Sequence, residues 1–182
     1  SMSRIRIACP DDAAAIQAIY APVVRNTPIL FEVDVPSVDE MRRRIDGTLT
    51  THPWLVHLDH AGQVDGYVYA SRHAERLAYQ WSVGVTAYVR SDTRRQGVAR
   101  QLYEELFRHL VALGYCQAVA GITLPNEASV GLHEAVGFRP VGVYRRIGHK
   151  LGRWHDVGHW QRSLQEPVEA PALRPFANGR VG

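Results

Sequence analysis

Residues Val89 to Arg100 read Val-Arg-Ser-Asp-Thr-Arg-Arg-Gln-Gly-Val-Ala-Arg, the end of an alternating apolar strand that runs through an arginine and glycine loop straight into a helix. The chemistry of such a junction is anion binding. First-turn N–H groups of a helix have no intrahelical partner, and the helix dipole adds partial positive charge there, so phosphate oxygens are favoured. Gly97 lets the main chain approach a ligand closely, and Ala99 does nearly the same. Arg94, Arg95 and Arg100 surround the cradle and can add forked, charge-assisted contacts, with Gln96 and Val98 completing the loop.

Other chemistries are excluded by the same kind of reading. No G-x-x-x-x-G-K-[ST] run and no G-x-G-x-x-G run occurs, so neither the P-loop nor the dinucleotide fingerprint is present. Nine histidines raise the question of a metal, but none forms H-E-x-x-H. His155 and His159 stand four apart in an expected strand, about 13 Å from one another, and no metal is expected. Cys9 and Cys116, far apart and in no C-x-x-C context, argue against a disulfide scaffold, and both read as buried thiols.

These groups must be held by a chain of 182 residues, enough for one sizeable core. Residues 4 to 8 alternate as a half-buried strand, and Asp11 or Asp12 is placed to cap a helix carrying Ile16, Ile19 and Val23, with Pro22 and Pro28 bounding the loop that follows. Ser37 caps a second helix through about Gly47, on which Arg42-Arg43-Arg44 reads as a solvated face. Strands at 54 to 58 and 64 to 70 form a hairpin, and a polar connection over 71 to 80 leads to the strand 82 to 90.

The helix 97 to 113 buries a stripe from Val98 to Leu113 and stops at Gly114. A short strand over 116 to 123 precedes a helix capped by Asn126 and stopped by Gly137, and two strands near 138 to 146 and 153 to 163 finish the pattern. The order β-α-α-β-β-β-α-β-α-β-β predicts an α/β (α+β) fold with a single mixed, largely antiparallel sheet flanked by helices. One domain is expected over 4 to 164. The Pro/Ala/Gly-rich extension at 165 to 182 reads as poorly ordered from Pro167 onward.

Hydrophobic residues make up 46% and charged residues 21%, the balance of a soluble globular protein. No apolar run approaches the ~20 residues that cross a bilayer, so no membrane partner and a cytoplasmic location are expected. The net charge of +3, carried by twenty arginines and one lysine, suits a polyanionic small ligand and is not the long basic face of a nucleic-acid binder.

Arg94-x-x-Gly97-x-Ala99 after a strand resembles the [Q/R]-x-x-G-x-[G/A] signature of the GCN5-related N-acetyltransferase (GNAT) superfamily. Residues 126 to 138 and the run Gly148-His149-Lys150-Leu151-Gly152-Arg153-Trp154-His155-Asp156-Val157 are similar to the phosphinothricin acetyltransferase branch, whose hallmarks are N-x-x-S-x-x-[L/M]-H-E-x-x-G-F and G-x-K-x-G-x-W-x-D-V. The likeness extends over 4 to 164, with Tyr20-Ala21-Pro22, Phe31-Glu32, Pro53-Trp54-Leu55-Val56 and Ala78-Tyr79 also in place.

The resemblance implies acetyl-CoA as co-substrate, its pyrophosphate on the amides of the 94 to 100 loop. Its pantetheine arm would lie along the free edge of Ala87, Tyr88 and Val89, near Asn126. It implies direct attack by the α-amino group of a small amino acid or a phosphinothricin, methionine sulfoximine or sulfone analogue. His133 lies two helical turns beyond Asn126, on the face that looks toward the cofactor in this fold, and is the candidate for acid and base work. Arg72 and Arg76 stand where the branch binds anionic groups, with Tyr79, Phe31 and Glu32 as pocket walls.

One position departs from the pattern. Relatives in the branch carry a glutamate base at the position of Gly84, which has no side chain to take a proton. Glu32, His133 or an ordered water then stand as candidate bases, or the substrate differs. Acetylation of another small amine and a non-catalytic acyl-CoA sensor are the rival readings. The aromatic-rich last strands with a glycine-rich turn at 148 to 152 are the candidate homodimer contact.

Overall fold

The computed structural model describes residues 4–176. Eleven main elements follow the expected order: β1 (Ile5–Ile7), α1 (Ala13–Asn26), α2 (Val38–Leu49), β2 (Trp54–Leu58), β3 (Val64–Arg72), β4 (Ser82–Val89), α3 (Val98–Leu113), β5 (Gln117–Leu124), α4 (Glu127–Ala135), β6 (Arg139–Lys150) and β7 (Arg153–Ser163). The strands form one seven-stranded sheet in the order β1-β2-β3-β4-β5-β7-β6, antiparallel except between β4 and β5.

Strand alternation assigns the helices to faces. A Cβ on Gly66 would meet the side chains of Val98 and Leu102 of α3, so that face carries α3. The next residue, Tyr67, points the other way and packs near Tyr88, whose ring meets Tyr20 of α1 edge-on. Helix α4 joins α3 on its face through a Tyr103–His133 hydrogen bond. Leu102, Leu106 and Leu110 of α3 are fully buried, as are Ile16 and Ile45 of α1 and α2, so each helix stripe closes one side of the sheet.

Several local expectations are corrected. The Asp12 side chain does not cap α1; it accepts from Arg6 at 2.8 Å and from the Cys9 N–H at 2.9 Å. Pro22 sits inside α1, because burial of Val23 and Val24 continues the apolar stripe beyond it and outweighs the one missing backbone donor. Cys9 is exposed and Cys116 only half-buried. Gly148 belongs to β6, not to the turn: Leu151 and Gly152, at φ 55° and 74°, make the tight reversal.

The start of the tail is packed. Phe176 is completely buried beside His109, the Trp81 indole donates to the Pro171 carbonyl at 2.8 Å, and the Arg174 N–H reaches the Leu113 carbonyl at 3.0 Å. That last bond satisfies a carbonyl that the end of α3 leaves without a partner. Residues 177 to 182 of the expected extension lie outside the described residues.

Candidate active site

Strands β4 and β5 pair only through Ser82–Gln117, Val83–Ala118 and Gly84–Val119, and then diverge. Beyond that point Ala87, Tyr88 and Val89 still pair with Val68, Tyr67 and Gly66 of β3, but their other edge faces a gap. The gap opens into a cleft of about 510 Å³ that runs from Arg94, Arg95, Gly97, Val98, Ala99 and Arg100 to Asn126, Ser129, Leu132 and His133. A smaller hollow of about 110 Å³ continues it between Thr86, Ala87, Gly121, Thr123, Tyr103 and His133.

The loop at the wide end is shaped for an anion. Arg95 and Gly97 are both left-handed, at φ 67° and 77°, an uncommon conformation for an arginine. Gly97 is the N-cap of α3, so the free N–H groups of Val98, Ala99 and Arg100 follow it directly. Thr93, buried, donates its hydroxyl to the Arg90 carbonyl at 3.1 Å and pins the preceding turn. Arg94 and Arg95 are exposed and form no ion pair among the described residues, whereas Arg100 is shared with Glu104 at 3.0 Å. Gln96 is exposed on the same loop. These features fit a coenzyme pyrophosphate.

At the narrow end Asn126 caps α4, its side-chain oxygen accepting from the Ser129 N–H at 3.1 Å. His133 is buried with both ring nitrogens engaged: Nδ1 lies 2.7 Å from the Ser129 carbonyl and Nε2 lies 2.8 Å from the Tyr103 hydroxyl. A carbonyl only accepts, so Nδ1 carries the proton and Nε2 accepts from Tyr103. Burial holds the imidazole below its ordinary pKa, partly offset by the Ser129 carbonyl, so the neutral ring is the resting form. The same burial pushes the Tyr103 hydroxyl up.

Glu32 is held elsewhere. Its carboxylate takes a two-bond fork from Arg44 at 2.9 and 2.7 Å and a 2.6 Å bond from the Tyr20 hydroxyl. The Arg44 fork holds its pKa below the usual carboxylate range. Arg44 is therefore not part of a solvated face, although Arg42 and Arg43 are, paired with Asp39 and Glu40. Phe31 packs against Gly148, where a Cβ would overlap its ring, and the sole lysine, Lys150, donates to the Leu30 carbonyl at 2.8 Å. These contacts tie the loop carrying Phe31 and Glu32 to β6.

Ser71 and Gly84 point to the face of the sheet that carries α1 and Glu32, so Arg72 points to the opposite face. Its charge there acts on His52 and Tyr115. The structure thus separates Arg72 from Glu32, while Arg76 and Tyr79 are exposed on the connection that follows β3. Tyr103, Tyr20 and Arg44 are the partners that the sequence reading leaves unassigned. The available signal for Tyr103 is a hydroxyl-bearing residue beside Leu102 on the buried stripe of α3.

Among the described residues no group of three or more His, Cys, Asp or Glu could hold a metal, and no helix is long and apolar enough to cross a membrane. Comparison with known proteins agrees with the geometry. Residues 5–159 match the family model for the acetyltransferase (GNAT) domain. A phosphinothricin N-acetyltransferase of Streptomyces viridochromogenes is 36% identical over 171 residues, 94% of this chain and 93% of that protein. An L-methionine sulfoximine/L-methionine sulfone acetyltransferase of Pseudomonas aeruginosa is 33% identical over 168 residues, 92% of this chain and 98% of that protein. The crystal structure of a GNAT superfamily phosphinothricin acetyltransferase from Sinorhizobium meliloti, in complex with AcCoA, superposes with a TM-score of 0.90 at 33% identity, covering 98% of this chain and 97% of that one.

Proposed function

The chain belongs to the GNAT acetyltransferase family and is an acetyl-CoA-dependent N-acetyltransferase; from that premise we propose how its residues divide the work. The acceptor is the α-amino group of a small amino acid or an analogue of the phosphinothricin, methionine sulfoximine or sulfone type. One observation carries this reading: the anion-shaped loop at 94 to 100 and the buried His133 open onto a single cleft along the free edge of β4. The amides of Gly97 to Arg100, with Arg94 and Arg95, hold the pyrophosphate, and Ala87, Tyr88 and Val89 hold the pantetheine amides beside Asn126.

The acetyl group then lies at the narrow end, where His133 serves as the acid and base group. Glu32, saturated by Arg44 and Tyr20, serves better as an anionic wall facing an ammonium group than as a proton acceptor. Phe31 bounds the acceptor hollow, and Arg76 with Tyr79 meets its anionic end; the orientation of Arg72 leaves it a long-range charge. Purified protein given acetyl-CoA with a panel of amino acids, phosphinothricin and methionine sulfoximine tests the reading through release of free thiol. Tight coenzyme binding without thiol release from any amine would sink it in favour of a sensor.

Strand β6, the edge of the sheet, exposes Val141, Val143, Tyr144 and Ile147, and the adjoining turn and strand expose Leu151 and Trp154. An uncovered apolar edge is a pairing surface, and we assign it to a homodimer, which sedimentation of the protein checks. Supply of acetyl-CoA makes the cytoplasm the expected site of action, with small molecules as the partners.

A further inference from the structure

We propose that Tyr103 is a catalytic residue, and that its hydroxyl is the path by which a proton passes between the reacting groups and His133 Nε2. The inference rests on the transferase reading and adds to it a residue on a different helix. Four observations carry it. His133 lies in the lining of the narrow hollow; its Nδ1 is held by the Ser129 carbonyl at 2.7 Å, with the Ser129 hydroxyl at 3.3 Å, and its Nε2 by the Tyr103 hydroxyl at 2.8 Å. Both rings are buried, Tyr103 at 1% exposure and His133 at 6%, and the position beside Nε2 is taken by the Tyr103 hydroxyl. Tyr103 itself lines the same hollow as Thr86 and Ala87, where β4 turns its free edge to the ligand. Its ring is fixed by stacking on Phe107 at 5.6 Å and by packing against Phe138 at 6.0 Å.

A neutral amine that attacks the thioester must lose one proton, and the departing sulfur must gain one. As the amine N–H bond breaks, its proton forms a new O–H bond on Tyr103, whose original proton passes to His133 Nε2. The ring becomes cationic, and the Ser129 carbonyl steadies that charge through Nδ1–H. When the C–S bond breaks, the sulfur takes a proton from the Tyr103 hydroxyl and His133 Nε2–H restores it. One proton has moved from nitrogen to sulfur, no electrons have changed hands, and both residues are back in their resting forms. The tyrosine never stands as an anion, which its buried hydroxyl would resist. The imidazole begins neutral, as acceptance of a proton requires.

The test compares wild type, Tyr103→Phe, His133→Asn and the double variant, each after its melting temperature and acetyl-CoA affinity are measured. Phenylalanine keeps the ring against Phe107 and Phe138, so coenzyme KM should stay within about twofold while kcat falls about 100-fold, the size of a lost acid–base contribution. Two groups acting as one unit are non-additive, so the double variant should be no slower than the slower single one. In mixtures of light and heavy water the wild-type rate should curve with deuterium fraction, as two protons in flight require, and the Tyr103→Phe rate should not. A Tyr103→Phe enzyme that turns over at the wild-type rate, a double variant that loses the product of the two single effects, or a linear wild-type response overturns the relay alone. A wild type that binds acetyl-CoA and releases no thiol with any amine overturns the transferase reading and the relay with it.

Discussion

Gly84 stands directly opposite Ser71 in the β3–β4 ladder, and a Cβ added at Gly84 would lie 3.5 Å from the Ser71 hydroxyl oxygen, an ordinary contact. The position is therefore open to a side chain on the face that carries Glu32. Gly84→Glu should fold, with its melting temperature within about 3 °C of wild type, since the added Cβ meets only an ordinary contact and the backbone there is not left-handed. A carboxylate there would supply a base beside the amine, and kcat/KM for small amino acids should rise about 10-fold. Thermal melts and thiol-release kinetics check both; a slower, well-folded variant would show that the hollow needs the space that glycine leaves.

The Glu32–Arg44 fork also makes a statement about pH. The pKa of Glu32 is depressed in the fold, so its contribution to stability is present above the ordinary carboxylate range and is lost as pH falls through the lowered value. Arg44→Ala should cost about 1 kcal/mol near neutrality, the scale of a partly exposed pair, and lower the melting temperature by about 2–4 °C. The gap between variant and wild type should close below about pH 4, where carboxylates protonate. A gap that persists unchanged into acid would show that packing of the arginine stem, not its charge, is what α2 contributes.

The legible parts of the chain were those in which local pattern and tertiary demand agree. Ser37 and Asn126 cap their helices as their types dictate, and Gly97 and Gly114 bracket α3 in left-handed conformations that their position requires. The resemblance implies a free edge over Ala87, Tyr88 and Val89, and the pairing of β4 with β5 ends before it, at Gly84–Val119. Long-range pairings were illegible because spacing carries no sign of them. Arg44 lies in a run of three arginines, and only the return of the chain at Glu32 selects it. Tyr103 and His133 are thirty residues apart on separate helices, and the tail's few apolar residues find a groove that its composition does not announce.

Gly97 tests the anion cradle. Its φ of 77° is closed to proline, and the amide it would lose lies at the entrance of α3. Gly97→Pro should weaken acetyl-CoA binding at least 10-fold by calorimetry while the core elements keep their far-UV signature. Unchanged affinity would move the pyrophosphate away from this loop.

His133 supplies a direct reading of its own environment. Burial is the dominant influence and favours the neutral ring, so titration followed by NMR of the imidazole nitrogens should give a midpoint below the ordinary value near 6.5. The same data should show Nδ1 protonated in the neutral form, as donation to the Ser129 carbonyl demands. Because the charged ring is disfavoured in the fold, His133 should weaken stability only as pH drops below the unfolded-state value. A midpoint above 6.5 would mean that a charged partner, absent from its contacts among the described residues, governs the ring.

The tail offers the sharpest contrast between composition and structure. A Pro/Ala/Gly-rich segment has little apolar surface with which to offset its ordering, yet Phe176 is wholly buried and the chain before it is tied at Trp81 and Leu113. A Cβ at Gly114 would press on the Ala172 carbonyl at 3.0 Å, so the segment lies directly on the end of α3. Phe176→Ala should then behave as a core truncation, costing about 3 kcal/mol. That loss corresponds to a melting temperature lower by about 6–12 °C. Acetyl-CoA affinity should be unaltered, since the strap grips the end of α3 farthest from Gly97. A variant that melts with the wild type would show the segment to be an appendage, and the buried phenylalanine to be held by the core without holding it in return.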